Sequence, residues 1–191
     1  MLAADYRKIY AAKRDALSDF ERAQKSEAIF KRLVTLPVFK QASQALFYVS
    51  FKSEVDTTLM RKMTRELGIT VSVPRVQTQD KRMVFHDLEG DENPKPGSFM
   101  VMEPQADAET VTELQDASVI LVPALVFDAQ GNRIGWGQGY YDRFLAGEGR
   151  GLPSVGLAFD FQITEDLPVK KHDMAVQWIV TESRILHCTP T

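Results

Sequence analysis

The chain has 191 residues, 44% of them hydrophobic and 26% charged, with a formal net charge of −3. That length suits one ordinary domain with a real core, 1–191, and that composition excludes wholesale disorder, collagen and disulfide-rich scaffolds. A slightly acidic average provides no field that would draw the chain to nucleic acid or an anionic membrane, so any anionic ligand needs a local basic site. Cys188 is the single cysteine and has no internal disulfide partner, while His86, His172 and His187 lack zinc-ligand spacing. A reducing, cytoplasmic setting is expected. No apolar run reaches the roughly 18 residues of a membrane span, and no secretory h-region is visible.

From about Asp5 to Leu17 the chain is charge-rich, with Tyr6, Ile9, Tyr10, Lys13 and Leu17 at helical spacing. A partly exposed amphipathic helix is expected there. Ser18-Asp19-Phe20-Glu21 reads as a capping box that starts a second helix, with Ser26, Ile29, Phe30 and Leu33 inward and Pro37 as its end. Two helices therefore precede the first strand, Ala45 to Ser50, which is aromatic and β-branched. Asp56 is placed to cap a helix with Leu59, Met63 and Leu67 inward, Gly68 to stop it, and Ile69 to Val73 to return as strand. This is a βαβ unit, and it puts the fold in the α/β class with a mostly parallel central sheet, helices on both sides and an N-terminal helical pair.

Met83 to Leu88 alternates as a short strand, and Asp91 to Gly97 is a turn cluster. Ser118 to Phe127 is the most apolar run and reads as a central strand interrupted by Pro123. Ser154 to Phe159 and Trp178 to Thr181 supply later strands.

Seven of the eleven glycines fall between Gly131 and Gly151. After the turn Asp128 to Arg133 comes Gly135-Trp136-Gly137-Gln138-Gly139, and then a helix beginning near Tyr140. Alternate glycines let backbone amides approach phosphate oxygens without hindrance from Cβ, and a helix N-terminus adds free N–H groups. Arg133 and Arg143 are placed to add bidentate charge, and Asp142 to hold a divalent cation. A tightly turned loop without ligand is the alternative. The segment fits neither the P-loop pattern nor the dinucleotide fingerprint.

Leu121-Val122-Pro123-Ala124-Leu125-Val126-Phe127-Asp128 followed by Arg133-Ile134-Gly135-Trp136-Gly137-Gln138-Gly139-Tyr140-Tyr141-Asp142-Arg143 resembles the 5-formyltetrahydrofolate cyclo-ligase family. The likeness extends through Ser50 to Thr57 upstream, and through His172-Asp173-Met174 and Ile179 to Glu182 downstream. It implies a C–N ring-forming ligase that closes 5-formyltetrahydrofolate to 5,10-methenyltetrahydrofolate, with ATP as co-substrate and Mg²⁺ as cofactor. By the same resemblance, Arg7 and Arg133 to Tyr141 contact ATP. The folate contacts are Arg7, Val49, Glu54 and the stretch Trp136 to Tyr140. Asp142 and Asp173 hold the metal.

Read without the family, Asp173 is a solvated loop acid, Glu54 an acid at the start of a helix, Arg7 a solubilising charge, and Tyr140 equally a packing residue below the loop. Ala3 falls where the family carries lysine, Gln138 where glycine or lysine is common, and Met100 where glycine often precedes Glu103-Pro104. These departures motivate a second reading, a folate-binding or regulatory homologue with weakened ATP use. A third is another ATP-dependent or sugar-phosphate enzyme on a similar sheet. No nucleic-acid or membrane partner is expected, and a monomer is favoured.

Overall fold

A computed structural model of the chain describes residues 1–77, 79–88, 95–96, 102–103 and 114–188. Most of the turn cluster at Asp91 to Gly97, and Met100, lie outside these residues. Helices α1 (Ala3–Asp15), α2 (Asp19–Leu33) and α3 (Pro37–Lys40) lead to strand β1 (Gln44–Leu46). Helix α4 (Thr58–Glu66) connects β1 to β2 (Thr70–Gln77), and β3 (Arg82–Asp87) follows. Then come β4 (Lys95–Pro96), β5 (Met102–Glu103), β6 (Ser118–Val122), β7 (Val126–Asp128) and β8 (Arg133–Ile134). The chain closes with α5 (Tyr140–Ala146), β9 (Ser154–Leu157), β10 (Ile163–Thr164), β11 (Trp178–Val180) and β12 (Ile185–His187).

The main sheet has seven strands in the order β12-β11-β9-β6-β1-β2-β3. The inner pairings β11–β9, β9–β6, β6–β1 and β1–β2 are parallel, and the outer pairs β11–β12 and β2–β3 are antiparallel. Strand β6 is buried along its whole length. Its residues alternate between two cores. Val119 and Leu121 join Ile29, Phe30 and Leu33 of α2, Phe39 of α3 and Met60 of α4. Ile120 and Val122 join Phe127, Phe144 and Leu145, the last two from α5. Both faces of the sheet are thus covered, which makes a three-layer α/β fold.

The long apolar run from Ser118 to Phe127 is two strands in two different sheets. Pro123 has no N–H to give the ladder, so β6 ends before it and the chain turns into β7 of a three-stranded sheet, β10-β7-β8. Helix α1 docks there, with Tyr10 buried beside Leu125, Val126 and Ile134. Its inward residues are Tyr10 and Arg14, whereas Ile9 is 40% exposed and Lys13 lies at the surface. Helix α1 is thus partly exposed, as expected, and one of its two buried side chains is an arginine.

Helix α2 begins at the expected capping box: Ser18 Oγ accepts from the Glu21 N–H at 3.2 Å and Glu21 Oε2 from the Ser18 N–H at 3.0 Å. Ser26, Ile29, Phe30 and Leu33 are its buried residues. Pro37 does not end this helix but opens α3 from its first position, where a missing N–H costs nothing. On α4 the expected inward residues point out: Leu59, Met63 and Leu67 are 70%, 46% and 60% exposed. Met60, Arg61 and Thr64 are buried instead. One residue of offset turns a helix by about 100°, so two stripes at the same spacing are interchangeable to a periodicity count. Thr64 suits the inside because its hydroxyl donates to the Met60 carbonyl at 2.7 Å. The N-cap is Thr57 and not the expected Asp56, which sits one residue earlier and accepts from the Thr58 N–H at 2.9 Å.

Candidate active site

The β7–β8 turn is held by Asp128, whose carboxylate accepts from the Gln130 N–H at 3.0 Å and the Asn132 N–H at 2.9 Å. From this anchor the chain enters the glycine loop and then α5. Gly137 (φ 94°) and Gly139 (φ 68°) occupy left-handed backbone that side chains disfavour. A Cβ at Gly137 would meet the Arg7 guanidinium at 3.0 Å, whereas one at Gly135 would meet nothing within 4 Å. Arg7 Nε donates to the Gly135 carbonyl at 2.9 Å. The first helix therefore clamps one side of the loop and leaves the other open.

The two arginines flanking the loop are engaged within the fold. Arg143 donates to the Lys81 carbonyl at 2.8 Å and the Gln138 carbonyl at 2.9 Å, and lies 5.1 Å from the Tyr140 ring centre. Arg133 Nη2 lies 3.0 Å from Asp142 Oδ1. That contact has ion-pair distance without hydrogen-bond alignment, and Arg133 Nε and Nη2 remain buried without a hydrogen-bond partner among the described residues. Asp142 Oδ1 also accepts from the Met174 N–H at 3.1 Å. Met174 follows Asp173, so this bond ties the segment that carries Asp173 to the start of α5. Asp173 Oδ2 accepts from the Lys170 N–H at 2.8 Å. Asp142 Oδ2 and Asp173 Oδ1 accept no hydrogen bond among the described residues.

Beneath the loop, the segment after β1 carries Glu54, which is 6% exposed. Its Oε2 accepts from the Phe51 N–H at 3.0 Å, and Trp136 Nε1 of the loop donates to Oε1 at 3.5 Å. Arg14 Nη1 lies 4.0 Å from the same Oε1. Burial raises the Glu54 carboxyl above its usual range and lowers the Arg14 guanidinium, so for each group desolvation outweighs the mutual attraction. Tyr48 and Tyr141 are pushed upward by burial and by the nearby Glu54. Phe51 meets the Trp136 indole edge-on at 6.5 Å, and Lys52 Nζ hovers 5.6 Å from that ring. Val49 is buried in the adjoining core.

Arg7, Glu54, Trp136, Asp142 and Asp173, far apart in sequence, converge on this loop or its base. Tyr140 and Tyr141 are half-buried and pack against the core under α5. Ile134 is buried in β8 against α1. Gln138 is exposed and offers its carbonyl to Arg143. Ala3 opens α1 and packs on the small sheet. Arg14 was not anticipated. It shares a face with Arg7 and Tyr10 at spacings of three and four, and that pattern is its only signal in the sequence. A shallow depression of about 560 Å³ lined by Met1, Asp5, Lys8, Ile9 and Ala12 lies on the opposite face of α1 and contains no buried charge.

An α/β fold with a glycine loop in left-handed backbone, set over a buried carboxylate, is the class these features define. The family model for the 5-formyltetrahydrofolate cyclo-ligase family matches residues 4–182, and the chain belongs to that family. It is 29% identical over 184 residues to 5-formyltetrahydrofolate cyclo-ligase of Escherichia coli strain K12, covering 91% of this chain and 96% of the relative. The enzyme of the same name from Mus musculus is 30% identical over 177 residues, 87% of each chain. The NMR structure of 5,10-methenyltetrahydrofolate synthetase from Aquifex aeolicus superposes with a TM-score of 0.84 at 33% identity, covering 98% of this chain and 93% of that one. Among the described residues, no helix is long and apolar enough to cross a membrane.

Proposed function

We propose that the chain closes 5-formyltetrahydrofolate to 5,10-methenyltetrahydrofolate with ATP and Mg²⁺, releasing ADP and phosphate, and that it does so as a single-domain, cytoplasmic monomer. The observation that carries this reading is the seating of the open glycine loop over buried Glu54, joined to it through Trp136 Nε1. A phosphate-accepting backbone and an acceptor for an amino-pyrimidine edge then face one cleft.

The formyl oxygen attacks the γ-phosphorus, and the bond to the β-phosphate oxygen breaks to leave ADP. The lone pair of N10 then captures the phosphorylated imidate carbon, forming the new C–N bond; the C–O bond breaks, and phosphate departs with the former formyl oxygen and takes up the N10 proton. This chemistry needs positioning and charge neutralisation and no nucleophilic side chain. The amides of Gly135 to Gly139 orient the phosphates, and Arg7 supplies charge at Gly137. Arg133 Nε, buried without a hydrogen-bond partner among the described residues, gives that side chain further donor capacity toward a phosphate oxygen. Glu54 accepts from the pterin, Val49 walls the ring, and Trp136 covers it. Lys52 at the rim is a cation suited to make up for Ala3.

Asp142 and Asp173 suit Mg²⁺, since each keeps one hard oxygen free of hydrogen bonds among the described residues, on segments joined by the Met174 amide. When bound there, the ion would neutralise phosphate charge. An assay with enzyme, 5-formyltetrahydrofolate, ATP and Mg²⁺ tests the reading. ADP and the absorbance of the methenyl product should appear together, and only when all three ligands are present. ADP release that ignores the folate would overturn it.

The engagement of Arg133 and Arg143 within the fold favours the second reading, a folate binder with weakened ATP use. Calorimetry separates the two: the enzyme binds Mg-ATP, whereas the regulator binds folate alone.

A further inference from the structure

We propose that Arg14 is the positioning residue of this site, holding Glu54 beneath Trp136 as an ionised acceptor for the folate; the inference rests on the folate reading given above. Arg14 is 1% exposed and ranks among the largest fully buried side chains of the molecule. It faces residues from three separate segments. Nε donates to Ser53 Oγ at 3.1 Å, and Nη1 donates to the Ala124 carbonyl at 3.3 Å where the chain crosses from β6 to β7. The same Nη1 stands 4.0 Å from Glu54 Oε1, and the guanidinium carbon lies 5.7 Å from the Trp136 ring centre.

Burying an arginine this completely is costly unless its charge is needed where it sits. Glu54 is also buried, and without a neighbouring cation it would carry a proton and present one acceptor fewer to a ligand. Ser53 accepts from one edge of the guanidinium and donates its own hydroxyl to Asp15, which holds the fork in place. The planar fork explains why arginine occupies the position. A lysine would supply a point charge, but it could not reach Ser53, Ala124 and Glu54 together. The groups facing Glu54 are Arg14 from α1, Tyr48 and the Phe51 amide from its own segment, Trp136 from the loop, and Tyr141 from α5.

Kinetics of Arg14→Met, Arg14→Lys, Glu54→Gln and the Arg14→Met/Glu54→Gln double variant provide the test. Arg14→Met should raise KM for 5-formyltetrahydrofolate about tenfold or more while KM for ATP stays within about twofold, and Arg14→Lys should recover part of the loss. In the Glu54→Gln background the Arg14 change should add less than about twofold, because its target is gone. KM values for folate and ATP that rise together, or a full Arg14 effect without Glu54, would overturn the proposal. A second readout needs no ligand. In a Trp178→Phe background, Trp136 emission followed against pH should report Glu54 ionisation, and its midpoint should move upward in Arg14→Met and less in Arg14→Lys. An unmoved midpoint refutes the positioning role even if the protein proves not to turn over folate, whereas an inactive wild type with a moved midpoint refutes only the folate reading.

Discussion

Arg133 and Asp142 face each other at 3.0 Å with unequal exposure, 5% for the arginine side chain and 23% for the aspartate. The buried partner depends on the accessible one. Removing Asp142 leaves an uncompensated guanidinium next to Tyr141 and frees the Met174 amide, so Asp142 is more than a surface acid at the start of a helix.

Asp142→Ala is therefore expected to abolish Mg-dependent turnover and also to weaken the fold, by about 1–3 kcal/mol after allowance for its partial exposure. For a chain of this size that is a fall in melting midpoint of roughly 2–4 °C per kcal/mol. Asp142→Asn, which keeps an acceptor for Met174, should lose turnover with a smaller fall. Paired thermal melts and turnover assays check both. An Asp142→Ala protein as stable as wild type would show that the ion pair contributes nothing.

Two neighbouring glycines should behave differently. Gly137→Ala puts a Cβ in left-handed backbone and against the Arg7 guanidinium, and should cost about 1–2 kcal/mol along with the ATP affinity. Gly135→Ala meets open space and should stay within about 0.5 kcal/mol of wild type. Any loss of ATP binding in Gly135→Ala then measures obstruction of the ligand alone, which urea unfolding and nucleotide titration separate.

Glu54 has its carboxyl raised above the ordinary 4.5, chiefly by burial. A raised acid binds its proton more tightly when folded, so its contribution to stability is complete below the unfolded value and is lost as pH climbs through the folded one. Between pH 4 and 8, urea unfolding of wild type should thus lose stability relative to Glu54→Gln as pH rises, and the difference should level off in the alkaline part. A constant difference across that range would contradict the burial effect.

Met60 and Leu59 are neighbours on α4 with opposite surroundings. Met60→Ala should cost about 2–5 kcal/mol, as core truncations do, while Leu59→Gln, Met63→Gln and Leu67→Gln should each change stability by about 0.5 kcal/mol or less. Chemical denaturation of the four variants checks the assignment of faces.

Where the sequence carries a strong local instruction, it predicts the structure well. The capping box at Ser18, the stop at Gly68 and the turn at Asp128 are all decided within a few residues. The cluster of glycines likewise located the loop, because left-handed backbone restricts which residues fit. Faces of helices were harder to read. On α4, residues 59/63/67 and 60/64 have equal spacing, and only packing against β2 chooses between them. On α1 the buried residue is an arginine, and nothing near Arg14 in sequence discloses that Ser53, Ala124 and Glu54 will surround it. The engagement of Arg143 by Lys81 and Gln138 was hidden for the same reason, since its partners are backbone carbonyls.

The docking of α1 on the small sheet has a consequence for how the protein is made. Tyr6 donates its hydroxyl to the carbonyl of Asp166, 160 positions further along the chain, and Arg14 reaches Ala124 across 110. Helix α1 is thus made well before the strands that receive it, and it can dock only once they have been synthesised. Until then its inward arginines remain in water, and the glycine loop, when it emerges, lacks the clamp from Arg7. Competence to bind waits for the small sheet, and a chain arrested before β10 has no complete cleft to offer a ligand.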